Sequence, residues 1–363
     1  MLYHILYPLR DIFFGFNVFR YITFRAAGAI VTAFMLSVIL GPHLIRMLQH
    51  LKIGERVRSR EEVPGIYSMH RHKEGTPTMG GVIMIVTILL ATILWARLDN
   101  RYVLITIATT VWLGVVGFLD DYIKLTKENS GGLSKTTKLI GECILGLAIG
   151  IILFSDSNVG SAIYVPFLKN AVMDAGIFYI FFVMLVIVGS SNAVNLTDGL
   201  DGLAIGCIIM VAFAYTVISY LVGNIQISNY LLLRHVPGSG ELAIYCAAIA
   251  GAGLGFLWFN SYPATVFMGD VGALALGGGI GVVAACIKKE VLLLIVGGIF
   301  VFEAISVILQ VASFKIRRRR IFLMAPFHHH LQMKGWSEPK IVTRFWIIAA
   351  ILALITLATL KLR

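Results

Sequence analysis

Long apolar runs separated by short polar stretches set the pattern of this chain. At about 20 residues per membrane crossing, the runs predict ten helices. They lie at roughly Ala26–Leu48, Thr78–Trp95, Tyr102–Leu119, Thr137–Phe154, Ala175–Gly189, Leu203–Val222, Leu242–Phe259, Ala264–Ile287, Val291–Phe314 and Thr343–Leu360. A membrane barrel would show short strands of alternating polarity instead, so the fold class expected is an all-α polytopic membrane protein. Ahead of the first run, Tyr3, Tyr7, Phe13, Phe14, Phe16 and Phe19 mark residues 1–25 as an interfacial N-terminal segment. No internal repeat or linker divides the chain, which predicts one membrane-embedded domain over residues 1–363.

Composition agrees with the pattern. Apolar residues make up 58% of the chain and charged residues 13%, against about 25% charged in soluble domains. Mean hydropathy is +0.87. The net charge of +11 matters mainly through where it falls. One loop carries Lys52, Arg56, Arg58, Arg60, Arg71 and Lys73. A second carries Lys124, Lys127 and Lys135, with Lys138 just beyond. A third carries Lys315, Arg317 to Arg320, Lys334 and Lys340. The alternate connections hold few cations: Arg97 and Arg101, then Lys169, Arg234, and Lys288 with Lys289. The positive-inside rule then puts the rich loops in the cytoplasm and both termini outside. Topology thus accounts for the basic stretches, and no nucleic-acid partner is expected. Cys143, Cys207, Cys246 and Cys286 all fall within predicted spans, without metal-ligand spacing, and read as small apolar residues.

The candidate chemistry gathers on the cytoplasmic side of that topology. Between two apolar runs lies Asn192-Ala-Val-Asn195-Leu-Thr-Asp198-Gly-Leu-Asp201-Gly, a polar segment without Lys or Arg. On a helix, Asp198 and Asp201 would share a face. Carboxylates at a bilayer boundary are costly unless paired, solvated or bound to a cation. Helix capping would explain one of them but not the asparagines beside them. Asp120 and Asp121 end the third predicted span, where the helix dipole and their mutual repulsion both oppose two charges. Either Lys124 neutralises them in solvent, or a cation or proton does. In Asn260-Ser-Tyr-Pro263-Ala-Thr-Val-Phe267-Met-Gly269-Asp270, the neighbouring glycine would let a ligand approach Asp270 closely. A turn or cap role is the alternative there.

Five aspartates and several amides on one face form a hard oxygen set that suits Mg2+ alongside substrate phosphates. The last polar loop supplies the opposite charge, with Arg317 to Arg320 ahead of Ala325-Pro-Phe-His328-His329-His330. The arginines serve equally as an anchor on anionic headgroups. Three consecutive histidines can bind phosphate, ligate metal or carry a proton. No phosphate-binding glycine loop ending in Lys-Ser/Thr is present. Phosphoryl chemistry on a lipid is the reading these residues support.

The chain resembles the phospho-N-acetylmuramoyl-pentapeptide transferases, the MraY family. The resemblance runs from the first loop to the last span through Gly75-Thr-Pro-Thr-Met-Gly-Gly81, Phe118-Leu-Asp-Asp-Tyr122, the Asn192–Ala204 segment, Phe256–Gly279 and Ala325-Pro-Phe-His-His-His330. The carboxylate motifs are similar to the wider superfamily of polyprenyl-phosphate sugar-phosphate transferases. The histidine run with Lys334-Gly-Trp336 points to the muramoyl-pentapeptide branch.

That resemblance implies a ten-helix homodimeric enzyme of the bacterial cytoplasmic membrane with a cytoplasmic-side cleft. Phospho-MurNAc-pentapeptide would pass from UDP-MurNAc-pentapeptide to undecaprenyl phosphate, giving lipid I and UMP with Mg2+ required. Carried over by motif, Asp270 would bind the metal, and Asp120 would be the base on the lipid phosphate. Asp121 and Asp198 would complete the acidic cluster. Asn195, Asp201, Phe267 and Lys73 would shape the nucleoside end, with Lys135, Asn192, Asn260 and His330 as further substrate contacts. His328 and His329 would meet the substrate near its phosphates. Two alternatives stand beside this reading: a sibling transferase using a UDP-HexNAc donor, and an ion-coupled transporter. The second would place its acids near the midplane of repeated halves, not at span ends on one side.

Overall fold

The computed structural model describes residues 1–50, 75–126, 132–168 and 171–361. Lys73, Lys127, Lys169 and the other cations of the first basic loop lie outside the described residues. After a short helix α1 (Leu2–Leu6) and two 3-10 turns, the chain forms α2 (Ile22–His50), α3 (Gly81–Trp95), α4 (Arg101–Thr126), α5 (Lys135–Phe154) and α6 (Phe178–Thr197). It continues as α7 (Leu203–Gly223), α8 (Ile225–Tyr230), α9 (Leu242–Asn260), α10 (Gly269–Cys286) and α11 (Leu293–Val296). The last elements are α12 (Gly298–Arg317), α13 (Phe327–Met333) and α14 (Glu338–Thr359). Two residue pairs, β1 (Ala162–Ile163) and β2 (Met173–Asp174), make a small antiparallel hairpin between α5 and α6.

Among the described residues nine helices are long and apolar enough to cross a membrane: α2, α4, α5, α6, α7, α9, α10, α12 and α14. With α3, every apolar run of the sequence is helical, and the chain is an all-α multi-pass membrane protein. At 15 residues, α3 rises only about 22 Å. The extended residues ahead of it are held by the loop before α10. Phe267 N–H donates to the Pro77 carbonyl, and Gly80 N–H to the Phe267 carbonyl, each at 2.8 Å.

Several boundaries differ from the sequence expectation, each for a local reason. The third span does not end at Asp120: Lys124 pairs with Asp120 and Asp121 one turn on, and α4 continues to Thr126. The fifth runs past Gly189 to Thr197 because Ser190, Asn192 and Thr197 bond back to carbonyls three or four residues earlier. Asn192 and Asn195 therefore stand on a helix. Asp198 and Asp201 do not share a helical face, because Asp198 ends α6 and the turn to α7 holds Asp201. The eighth starts at Gly269 rather than Ala264, since residues 261–268 form the loop that grips the start of α3. The ninth divides at Gly297 into α11 and α12.

Helices α7, α9 and α10 are the most enclosed, and the outer helices present large apolar side chains outward, among them Leu185, Ile308 and Leu354. Because consecutive spans alternate in direction, the ends of α2, α4, α6, α9 and α12 share one face with the starts of α3, α5, α7, α10 and α14. The opposite face is tied by Arg25 and Glu241, a buried bidentate pair at 2.6 and 2.7 Å. Such burial of charge inside a membrane protein requires that kind of pairing.

Small residues set how close the site-bearing helices come. A Cβ on Gly81 of α3 would lie 2.2 Å from the Gly272 nitrogen of α10. A Cβ on Gly117 of α4 would lie 2.4 Å from the Asp270 carbonyl oxygen. Backbone cannot yield as a flexible side chain would, and overpacking costs about 1–3 kcal/mol. Gly117→Ala is therefore expected to lower the apparent melting temperature of the detergent-purified protein by several degrees. Thermal unfolding followed by tryptophan fluorescence checks it, and an unchanged midpoint would mean α4 and α10 are not locked at this point.

Candidate active site

Three carboxylates from two helices converge on the face where α4, α6 and α10 meet. Asp120 and Asp121 come from α4, and Asp270 stands in the first turn of α10. One oxygen from each lies within 4.8 Å of the other two. Asp120 and Asp121 are buried, and the Asp270 side chain is 15% exposed. The left-handed Gly269 (φ 72°) makes this possible, since a Cβ there would fall 2.6 Å from Asp121 Oδ2.

Backbone and ammonium groups hold the cluster. Leu133 N–H donates to Asp120 Oδ1 at 2.7 Å, and Val271 N–H to Asp121 Oδ2 at 3.3 Å. Lys124 Nζ reaches all three carboxylates, at 2.8 Å from Asp120, 3.3 Å from Asp121 and 2.9 Å from Asp270. Lys138, at the start of α5, donates to Asp270 at 2.7 Å and lies 3.6 Å from Asp120. With its amide nitrogen turned toward the carboxylate, the orientation that satisfies both neighbours, Asn195 donates to Asp270 Oδ1 at 2.9 Å and accepts from Lys138 at 3.0 Å. Three carboxylates against two ammonium groups leave one net negative charge. The donor set is all oxygen, and positive charge already sits between its members, so it fits a hard divalent cation.

The same end of α6 leads to a second group. Asp198 is half-buried at the α6 terminus, and next to it Gly199 abuts the His328 ring. His328 is fully enclosed: its Nδ1 lies 3.3 Å from Glu303 Oε2, and neither ring nitrogen makes a hydrogen bond. Glu303 also accepts the backbone N–H groups of Phe327 (2.7 Å) and His328 (3.2 Å), so a buried carboxylate of α12 caps α13. His329 Nδ1 is 2.8 Å from Gln332 Oε1, and His330 Nδ1 accepts from Leu323 N–H at 3.1 Å. A Cβ at Gly199 would sit 2.3 Å from His328 Nε2. Gly199→Ala should therefore displace this ring and cut activity about tenfold or more while the helices remain assembled. Wild-type turnover by that variant would show that the His328 position is not needed.

The remaining sequence candidates are positioned as follows. Asp201 is buried; its N–H donates to Glu338 at 2.7 Å, and its Oδ2 accepts from Ala264 N–H at 3.0 Å. Asn260 is buried with both amide atoms engaged by backbone, Gly202 N–H at 3.0 Å and the Val266 carbonyl at 2.8 Å. These two residues fasten the α6–α7 turn to the loop carrying Phe267, which is half-buried. Lys135 is exposed in the first turn of α5. Asn192 points to Glu142 of α5 and donates to it. Arg317 to Arg320 are exposed beyond the cluster, at the end of α12.

Sequence reasoning did not single out Lys138, Glu142 or Glu303 as site residues. A signal was available for the two glutamates, because each is a lone acid within an apolar run, and such residues mark function or a buried partner. Lys138 was hidden by its place in a basic loop, where topology alone explained it.

Comparison with known proteins covers the same residues. The model of Glycosyl transferase family 4 matches residues 103–288, which include Asp120, Asp121, the α6 motif and Asp270. Residues 73–85, ending in α3, match signature 1 of the phospho-N-acetylmuramoyl-pentapeptide-transferases. Proteins of that name are 52% identical in Desulfotalea psychrophila, over 364 aligned residues, and in Citrifermentans bemidjiense, over 363. One from Syntrophus aciditrophicus is 50% identical over 364. Each alignment covers 100% of both chains, so it also takes in the histidines beyond the family-model match. The chain belongs to the phospho-N-acetylmuramoyl-pentapeptide-transferase family.

Proposed function

We propose that this enzyme transfers phospho-MurNAc-pentapeptide from UDP-MurNAc-pentapeptide to undecaprenyl phosphate, releasing UMP and leaving lipid I. The observation that carries the reading is the cluster of Asp120, Asp121 and Asp270 with Lys124 and Lys138 among its oxygens, within a chain whose full length aligns with transferases of that name. Under the positive-inside rule, the basic loops support a cytoplasmic cluster at a bacterial inner membrane and termini on the other side. The whole chain acts as one domain, with residues 1–25 lying at the interface.

Asp270, with Asp120 and Asp121 beside it, would hold Mg2+, which when bound would neutralise charge on the donor diphosphate. Asp120 takes the proton of the lipid phosphate. The freed phosphate oxygen forms a bond to the sugar-bearing phosphorus as the bond from that phosphorus to the UMP oxygen breaks. Lys124 and Lys138 face the charge that builds on the leaving phosphate. A loose phosphoryl-transfer transition state needs chiefly such positioning and neutralisation. Asn195, Asp201 and Phe267 lie on connected elements and shape the nucleoside end with Lys73 and Asn260. Lys135, Asn192, Asp198, His328, His329 and His330 serve the sugar-phosphate side.

Offering purified protein either UDP-MurNAc-pentapeptide or a UDP-HexNAc, each with undecaprenyl phosphate, tests the donor. Lipid-linked product is expected from the first only. Product from the UDP-HexNAc alone would assign the chain to the sibling activity.

A further inference from the structure

Glu142 is a carboxylate with no solvent exposure, placed in an apolar span. Its Oε2 accepts from the Asn192 amide, which also donates to the Val188 carbonyl at 2.9 Å. Its Oε1 is buried and makes no hydrogen bond. A buried acid in a membrane helix asks for a partner, and one is near. Lys138 precedes Glu142 by four residues on α5, on the same face. Glu142 lies within electrostatic reach of both Lys138 and Asp270.

Lys138 has a difficulty that Lys124 does not share. Both ammonium groups sit against oxygens that a divalent cation would use: Lys138 is 2.7 Å from Asp270 Oδ2, and Lys124 is 2.9 Å from the same atom. Mg2+ binds oxygen at about 2.1 Å, which would bring a cation and both ammonium groups into close repulsion. The Lys124 side chain is 39% exposed and can turn toward water, but that of Lys138 is 15% exposed. An ammonium leaving Asp270 from such a place needs an internal counter-charge.

We propose that Glu142 is a positioning residue of the transfer site: its open carboxylate oxygen receives the Lys138 ammonium when a divalent cation takes the Asp270 carboxylate. Lys138 thereby stays beside the cluster, one turn from Glu142 on α5, without competing for the metal. The inference rests on the proposed cation role of the cluster.

Binding of Mn2+ to the purified full-length protein without substrate, followed by the electron paramagnetic resonance of free Mn2+, is the test. Wild type is expected to bind, and Asp270→Asn not to. Glu142→Gln should bind about tenfold more weakly, because Lys138 then competes for the aspartates. Lys138→Met removes the competitor, so adding Glu142→Gln in that background should change nothing. An equal loss from Glu142→Gln with and without Lys138 would overturn the proposal, leaving Glu142 a tether for Asn192. So would wild-type affinity in Glu142→Gln. Should that variant fail to fold, Glu142→Asp keeps the charge but withdraws the oxygen by one methylene. Weakened binding supports the proposal, and wild-type binding contradicts it. If wild type binds no Mn2+, the cation role of the cluster fails first, and this inference with it.

Discussion

Asp270→Asn is expected to lower UMP release by about 10³-fold, the scale on which a single electrostatic stabiliser of a transition state is felt. The substitution is nearly isosteric, and the side chain is 15% exposed at the first turn of α10. Folding should therefore survive, shown by an unchanged elution profile and melting curve. What changes is charge: Lys124 and Lys138 would lose the carboxylate charge they share at 2.9 and 2.7 Å. Two ammonium groups would then face only Asp120 and Asp121, and the place would no longer favour a divalent cation. Excess Mg2+ should not restore the rate. Near-wild-type turnover at limiting Mg2+ would remove Asp270 from the metal site.

Asp120→Asn should also be severe, with kcat falling by about 10²–10⁴-fold while binding of the UDP donor stays nearly intact. The asparagine oxygen can still accept from Leu133 N–H, as Asp120 Oδ1 does at 2.7 Å, so the segment entering α5 keeps its anchor. A basic group for the lipid phosphate is what disappears. A phosphate monoester loses its second proton near pH 6. Below that pH the acceptor needs a base, and above it the dianion forms unaided. The deficit of the variant relative to wild type should therefore be largest near pH 5.5 and shrink as pH rises to 8. A deficit that stays constant across that range, with normal donor binding, would make Asp120 a residue that orients metal or substrate, and the proton would go elsewhere.

Much of the architecture was legible in the chain because a bilayer admits few solutions. Each apolar run had to be a helix, and each is one, since lipid offers no other partner for backbone groups. The boundaries were less legible. Polar residues such as Asn192 and Thr197 look like loop by composition, yet they extend α6 by bonding back to the helix carbonyls. Asp120 and Asp121 look like a helix end, yet Lys124 one turn later lets α4 continue. Those two corrections carry the acids and amides of α4 and α6 onto rigid helices rather than loops, which is a better support for a reaction site.

The site itself was half legible. Carboxylates at membrane boundaries point to themselves by their cost, and Asp120, Asp121 and Asp270 do meet. Long-range partners leave no local trace. Nothing near Lys138 in sequence shows that it reaches Asp270, 132 positions on, and nothing near Glu303 shows that it caps α13 beneath His328. Asn260 has a long-range role of the same kind: its amide holds two loops together, which its motif alone does not show.

The most direct measurement is UMP release from UDP-MurNAc-pentapeptide by the purified protein in detergent, with undecaprenyl phosphate present or absent and Mg2+ supplied or chelated. One UMP is expected for each lipid-linked sugar formed, with no release without the lipid and loss on chelation that added Mg2+ reverses. UMP release independent of the lipid, or lipid-linked product formed equally well under chelation, would contradict the proposed reaction.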